Sequence, residues 1–189
     1  MTSKQPTLRT PRLELVPLTD EHRENTKLLD MDPEVMKMVA FGRPFTEEET
    51  QQMHSWLTGI ATSHPGLGTW AGMQGGQFVG WWVLAPIPTK DDAEKFEEGR
   101  SEFGFRVCPK FWGQGYAKEG AREMIRYAFE DLGLSEVVGE TMTINAASRA
   151  VMAGVGLTHV ETFFRKYDNP PSGIEEGEVR YTIRNRNNS

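Results

Sequence analysis

The chain has 189 residues, of which 38% are hydrophobic and 25% charged, so it can form one domain of ordinary size around a real core and is too apolar for a disordered segment. Its formal charge is −6, with 21 Lys and Arg against 27 Asp and Glu and no dense basic run, so a nucleic-acid partner held through its phosphates is not expected. A single cysteine, Cys108, excludes an internal disulfide framework and a cysteine-cluster zinc site; the four histidines, His22, His54, His64 and His159, lack ligand spacing, so no metal is expected.

No apolar run approaches the roughly 18 residues that suggest a membrane span. The opening MTSKQPTLRTPRLEL lacks the hydrophobic stretch of a signal peptide, and a soluble cytoplasmic protein is the default expectation.

Residues 12–18 alternate and predict a first strand. From Asp20 to about Phe41 the pattern is helical, with Thr19 or Asp20 as cap and Pro33 restarting a second short helix that carries Val35, Met36 and Val39. Thr46 followed by Glu49 is a capping-box pattern, and Met53, Trp56, Leu57 and Ile60 form the stripe of a helix to about residue 61. Pro65-Gly66 breaks it. Two strands, about 68–74 and 77–85, flank the hairpin signal Gly75-Gly76; the acidic, Pro-bounded segment 86–99 predicts a surface loop. Strand 101–107 places Phe103, Phe105 and Val107 on one face and Glu102, Gly104 and Arg106 on the other. The clearest helix follows Gly115, with Ala117, Ala121, Met124, Ile125, Ala128, Phe129 and Leu132 as its stripe and Gly133 at the C-cap position. Strand 135–143, a helix 146–153 after Asn145, and strands at 157–164 and 178–184 complete the chain. This mixture predicts one α/β domain over 1–189, with an ordered core at 8–184 and polar tails.

The segment Val107–Lys118 joins a strand to the best helix through Gly113 and Gly115. Glycine lets backbone approach a ligand, and a helix N-terminus offers unpaired N–H groups, so an anionic phosphate is the natural guest. From the glycines alone, a tight turn that binds nothing is an equal alternative. A dinucleotide fingerprint would need Gly where Lys118 stands, and a P-loop would need Gly-Lys-Ser/Thr where the chain has Gly120-Ala121-Arg122.

With its surroundings, this segment resembles the acyl-CoA loop of the GNAT N-acetyltransferases, and more narrowly the RimJ/RimL-type branch that acetylates ribosomal-protein N-termini, with its many bacterial relatives. Leu8–Leu15 is similar to that branch's first strand, Trp112–Glu119 to its pyrophosphate loop, and Asn145–Met152 followed by Gly156-Leu157 to its second signature. The resemblance implies a GNAT fold, a mixed twisted sheet of about seven strands with about four helices. It implies acetyl-CoA as cosubstrate and direct transfer of the acetyl group to a primary amine, a protein N-terminus or a small molecule, by a monomer or homodimer. A non-catalytic acyl-CoA sensor on the same fold is the alternative. It further implies that main-chain N–H groups from Gly113 through Gln114, Gly115, Tyr116 and Ala117 to Lys118 hold the pyrophosphate, with Trp112 at the position where the wider family has Arg or Gln. The backbone of Phe105, Arg106 and Val107 would pair with the pantetheine arm.

Asn145 is both an N-cap and, by resemblance, a pantetheine ligand. Ser148 is a candidate for steadying or protonating the leaving thiolate, and an ordinary helix serine otherwise. Glu102 is the candidate general base, because attack on a thioester needs a neutral amine; a solvated strand carboxylate is the plain alternative. A strand N–H near Val107 would hold the oxyanion. Tyr167 is expected to line the acceptor cleft as a candidate acid, Tyr116 to pack beside the loop, and Cys108 to be a small buried apolar residue.

Overall fold

The computed structural model describes residues 5–39 and 42–186. Its first departure from expectation is at the N-terminus, where the single predicted strand is a hairpin of β1 (Leu8–Arg9) and β2 (Glu14–Pro17). The reversal is closed by Thr10, whose N–H donates to the Leu13 carbonyl at 2.9 Å and whose hydroxyl accepts from the Leu13 N–H at 2.8 Å.

The helical stretch expected from residue 20 does break at Pro33, giving α1 (Arg23–Asp30) and α2 (Pro33–Met36), and it opens with a 3-10 turn at Asp20–His22. Asp32 caps α2 by accepting from the N–H groups of Glu34 and Val35, and Pro33 occupies the first turn, where its missing N–H costs nothing. The end assigned to this helix, at residues 40 and 41, lies outside the described residues. α3 (Glu47–Ser63) begins with the Thr46/Glu49 capping box.

β3 (Gly68–Gln74), β4 (Gln77–Pro88) and β5 (Phe96–Val107) form a meander. Much of the predicted 86–99 loop is therefore strand, since Pro88 faces Phe96 across an extended ribbon and 89–95 alone makes the turn. The ribbon is largely exposed, and its prolines and the acidic run Glu97-Glu98 give no alternating buried-strand signature. α4 (Tyr116–Arg126) runs into a π-helical turn at Tyr127–Asp131, where the Leu132 N–H reaches back five residues to the Tyr127 carbonyl. β6 (Glu136–Met142), α5 (Ala146–Gly154), β7 (Thr158–Phe163) and β8 (Glu178–Arg184) follow.

The eight strands form one mixed sheet in the order β1-β2-β3-β4-β5-β6-β8-β7, one strand more than expected because of the two-residue β1. Every neighbouring pair is antiparallel except β5 and β6, which α4 connects as a parallel crossover. Trp70, Trp82, Leu84, Phe103 and Val107 pack under α4 with Ala121 and Met124. On the opposite face Trp81, Val83 and Ala85 meet Leu29, Val35, Met36, Leu57 and Ile60 from α1, α2 and α3. Most of the tryptophans are thus core, with Trp70 and Trp82 fully buried and Trp56 exposed.

Candidate active site

The parallel ladder between β5 and β6 is short, pairing Arg100 with Glu136, Ser101 with Val137 and Glu102 with Val138. Past Glu102 the strands part: β5 continues to Val107 beside β4, while β6 continues to Met142 beside β8. The Cys108 N–H donates to the Val79 carbonyl at 2.8 Å on the β4 side. Strand alternation therefore turns the peptide groups of Val107 and Phe105 the other way, into the opening. A cavity of about 790 Å³ occupies this wedge. It is lined from the α4–α5 side by Phe111, Tyr116, Ala117 and Ser148, and from the opposite face by Val35, Met38, Trp81 and Arg106, so it connects the two faces of the sheet.

The loop at the cavity rim is held open for a ligand by backbone conformation. Gly113 and Gly115 have φ of 72° and 86°, a region that side-chain-bearing residues avoid. The first helical bond of α4 runs from the Glu119 N–H to the Gly115 carbonyl, so the N–H groups of Tyr116, Ala117 and Lys118 have no helical acceptor. Trp112, half-exposed, donates its indole N–H to the Val107 carbonyl at 2.7 Å and straps the loop to β5. Tyr116 is buried, edge-on to Phe111 and 4.2 Å beneath the Arg12 guanidinium. Gln114 does not line the cavity; its side-chain amide donates to the Lys110 carbonyl at 2.8 Å, and its own carbonyl accepts from Arg12.

Arg12, Thr10 and Glu119, which no local sequence signal marks, fasten this loop. Glu119 accepts from the Thr10 hydroxyl at 2.6 Å and forms an ion pair with Arg12 at 2.6 Å. All three lie inside the stretches that resemble the family, but nothing local marks them as partners.

At the facing rim, Asn145 caps α5 by accepting from the Ser148 N–H at 3.1 Å, and its amide N–H reaches the Met38 carbonyl at 3.5 Å. Asn145 thus bridges α5 to the segment after α2 while lining the cavity, and Ser148 lines it one turn later.

Glu102 stands beside the cavity rather than in its lining, on the sheet face that also carries Glu140 and Arg180. Its carboxyl reaches water, but the surrounding walls desolvate it and raise its pKa; the Glu140 carboxylate adds to that rise, while Arg165 and Arg180 oppose it. Those two arginines belong to an ionic chain. Arg165 joins Glu140 and Glu178, and Arg180 joins Glu140 and Glu161, each guanidinium lying over the Phe163 ring within 5.0 Å. Tyr167 ends this chain by donating its phenol proton to Glu178 at 2.9 Å, and it does not line the cavity. Burial, followed by the bond to Glu178, raises its pKa. Cys108 is half-buried, and desolvation raises its thiol pKa, as its expected apolar role requires.

The cavity, the unpaired N–H groups and the two-faced opening fit a donor with a phosphorylated, amide-bearing arm. The sequence matches the acetyltransferase (GNAT) domain family over residues 12–158. It is 75% identical over 179 residues to the FsC-acetyl coenzyme A-N(2)-transacetylase of Aspergillus fumigatus, a match covering 95% of this chain and 76% of that protein. Among solved structures, an acetyltransferase from Agrobacterium tumefaciens superposes with a TM-score of 0.76 at 23% identity, over 97% of this chain and 96% of that one. RimL, the ribosomal L7/L12 α-N-protein acetyltransferase in complex with coenzyme A, gives 0.76 at 13% identity over 95% and 98%. Spermidine N-acetyltransferase from Vibrio cholerae gives 0.71 at 14% over 92% and 96%, and at these identities the three structures share the fold. Its domain match and its wedge-split sheet together establish that the chain belongs to the GNAT family of acetyltransferases.

Proposed function

We propose that the cavity receives acetyl-CoA from the α4–α5 side and an amine of the compound named FsC from the α1–α2 side, and that the acetyl group passes directly between them. The observation that carries this reading is the wedge itself, a single opening with helix N-terminal N–H donors on one face of the sheet and, on the other, the Glu140 carboxylate in its wall with Glu102 beside it. The high identity to a transacetylase named for FsC supports that acceptor over a ribosomal-protein N-terminus. The RimJ/RimL-like loop then marks shared donor binding rather than a shared acceptor.

Acetyl-CoA supplies an activated acyl carbon and a thiolate leaving group; the rest of the work belongs to the chain. The N–H groups from Gly113 to Lys118 bind the pyrophosphate, and the inward peptide groups of Phe105 hold the arm. Glu102, directly or through water, takes the proton from the attacking amine. The Val107 N–H is placed to donate to the oxygen on which charge develops. Ser148, at the α5 rim, delivers a proton to the departing sulfur. Tyr167 orders the Glu178–Arg165 end of the acceptor wall and is not assigned the acid role. The cytoplasm, where acetyl-CoA is available, is the proposed compartment.

Thermal unfolding with and without acetyl-CoA tests the donor. A ligand at 100 times its Kd adds about 2.7 kcal/mol, a rise of roughly 5–10 °C for a chain of this size. Release of CoA on addition of FsC tests the acceptor. Donor binding without release from FsC or any other amine would instead establish a non-catalytic acyl-CoA-binding module.

A further inference from the structure

We propose that Arg106 forms a recognition subsite for a neutral carbonyl oxygen carried by the acceptor, on the α1–α2 wall of the cavity. The assignment rests on the acetylation reading above and deepens it by naming a chemical feature of the acceptor. Arg106 is 8% exposed and lines the cavity, yet its side chain is of no use to the donor, because alternation turns it to the opposite face of β5 from Phe105 and Val107. It is ion-paired with Asp30 of α1, which is fully buried.

That pair is one-pronged. Only the Arg106 Nη1 bonds to Asp30 Oδ1, and among the described residues Asp30 Oδ2 has no partner. Arginine–carboxylate pairs at comparable burial are commonly two-pronged. Here the fork is held against the Trp81 and Phe45 rings, with its Cζ 5.3 and 5.6 Å from their centroids; among the described residues its other N–H donors make no hydrogen bond, and the residue lines the cavity. The Trp81 indole N–H, on the same wall, is likewise buried without a partner among the described residues. Unpartnered buried groups at such a wall call for a ligand or an ordered water. Asp30 cancels the charge of Arg106, and Glu34 and Glu140 also line the cavity. The subsite therefore offers hydrogen-bond donors without net positive charge, which suits an amide or ester carbonyl better than a carboxylate.

The experiment measures CoA release from β-alaninamide, butylamine and β-alanine, with FsC as the reference acceptor. The native protein is expected to favour β-alaninamide over butylamine by at least about tenfold in kcat/KM, as buried donors reject an analogue that leaves them unpaired. Replacing the pair together, Asp30→Leu with Arg106→Met, avoids stranding one buried charge and should bring that ratio to within about twofold. Asp30→Asn, which retains the arginine fork but removes the charge that offsets it, should keep the preference over butylamine and raise the rate with β-alanine. The acetyl-CoA thermal shift of each variant verifies that it is folded. An unchanged ratio in the double variant, or a preference for β-alanine over β-alaninamide, would overturn this assignment alone. No release from any amine, FsC included, would overturn the acetylation reading and this assignment with it.

Discussion

Glu119 holds Arg12 at both ends, accepting from its main-chain N–H at 2.8 Å and from its guanidinium Nε at 2.6 Å. Through this clamp the β1–β2 turn braces the first turn of α4, where the unpaired N–H groups lie. Burial works to raise the Glu119 pKa, but the hydrogen bonds from Thr10 and Arg12 outweigh it and hold the carboxyl below its ordinary 4.5. A depressed folded-state pKa means stability that is present above the unfolded value and lost as pH falls through the folded one. Calorimetry across acid pH should show native stability falling below about pH 4.5. Glu119→Gln should unfold at lower temperature near neutrality and show a shallower loss in that window; an equal slope would remove the clamp from the acid response.

Gly120 lies against the flat of Trp82, where an added Cβ would stand 2.4 Å from Cε2 and 2.6 Å from Nε1. Trp82 is fully buried, and its indole N–H bonds to the Ala117 carbonyl at 3.2 Å, so the ring has little freedom to retreat. Gly120→Ala should therefore destabilise by about 1–3 kcal/mol despite the better helix propensity of alanine. A denaturation midpoint equal to that of the native protein would mean that α4 shifts freely against the sheet.

The two tasks of Asn145 can be separated by substitution. Asn145→Ala should lose about 1 kcal/mol of stability with the cap and also weaken acetyl-CoA binding. Asn145→Asp keeps the cap oxygen, so it should retain stability in denaturant titration while losing donor affinity in calorimetric titration. If Asn145→Asp binds acetyl-CoA normally, the residue is a cap only.

Glu102→Gln should lower kcat by a factor of about 10²–10⁴ with the acetyl-CoA thermal shift retained. Because desolvation raises the pKa of Glu102 above 4.5, the acidic limb of the native kcat/KM profile should lie above that value and vanish in the variant. The raised pKa also means that ionising Glu102 costs stability as pH rises, so the variant should melt no lower than the native protein near neutrality. A surviving acidic limb would assign the base elsewhere.

The hydrophobic stripe from Ala117 to Leu132 and the Gly113/Gly115 turn reveal α4 and the loop before it, because both signals repeat within a few residues. The π-helical turn at Tyr127–Asp131 leaves no comparable mark, since one widened turn does not break the stripe. The reversal at Thr10–Leu13 carries a turn-type proline, Pro11, but β1 before it is only two residues long, too short to show alternation. Alternation correctly put Arg106 opposite Phe105, but its burial depends on Asp30, 76 residues away, which no local pattern reports. The same limit hid the chain Glu161–Arg180–Glu140–Arg165–Glu178–Tyr167, whose members meet only through the register of β6, β7 and β8. For Tyr167, expected to line the acceptor cleft as an acid, the structure shows a phenol proton committed to Glu178 and a side chain outside the cavity lining.

The parting of β5 from β6 leaves one edge of the sheet unfinished at Phe105 and Val107. Amides at such an edge exchange with water unless something takes the place of the missing strand, and the peptide-like pantetheine arm has the matching donors and acceptors. The donor would act as a transient strand and make the protein one cooperative sheet for as long as it stays. Hydrogen exchange should then slow at Phe105 and Val107 when acetyl-CoA alone is added. The acceptor should bind after the donor, because until that seam is filled the floor of its own site is incomplete.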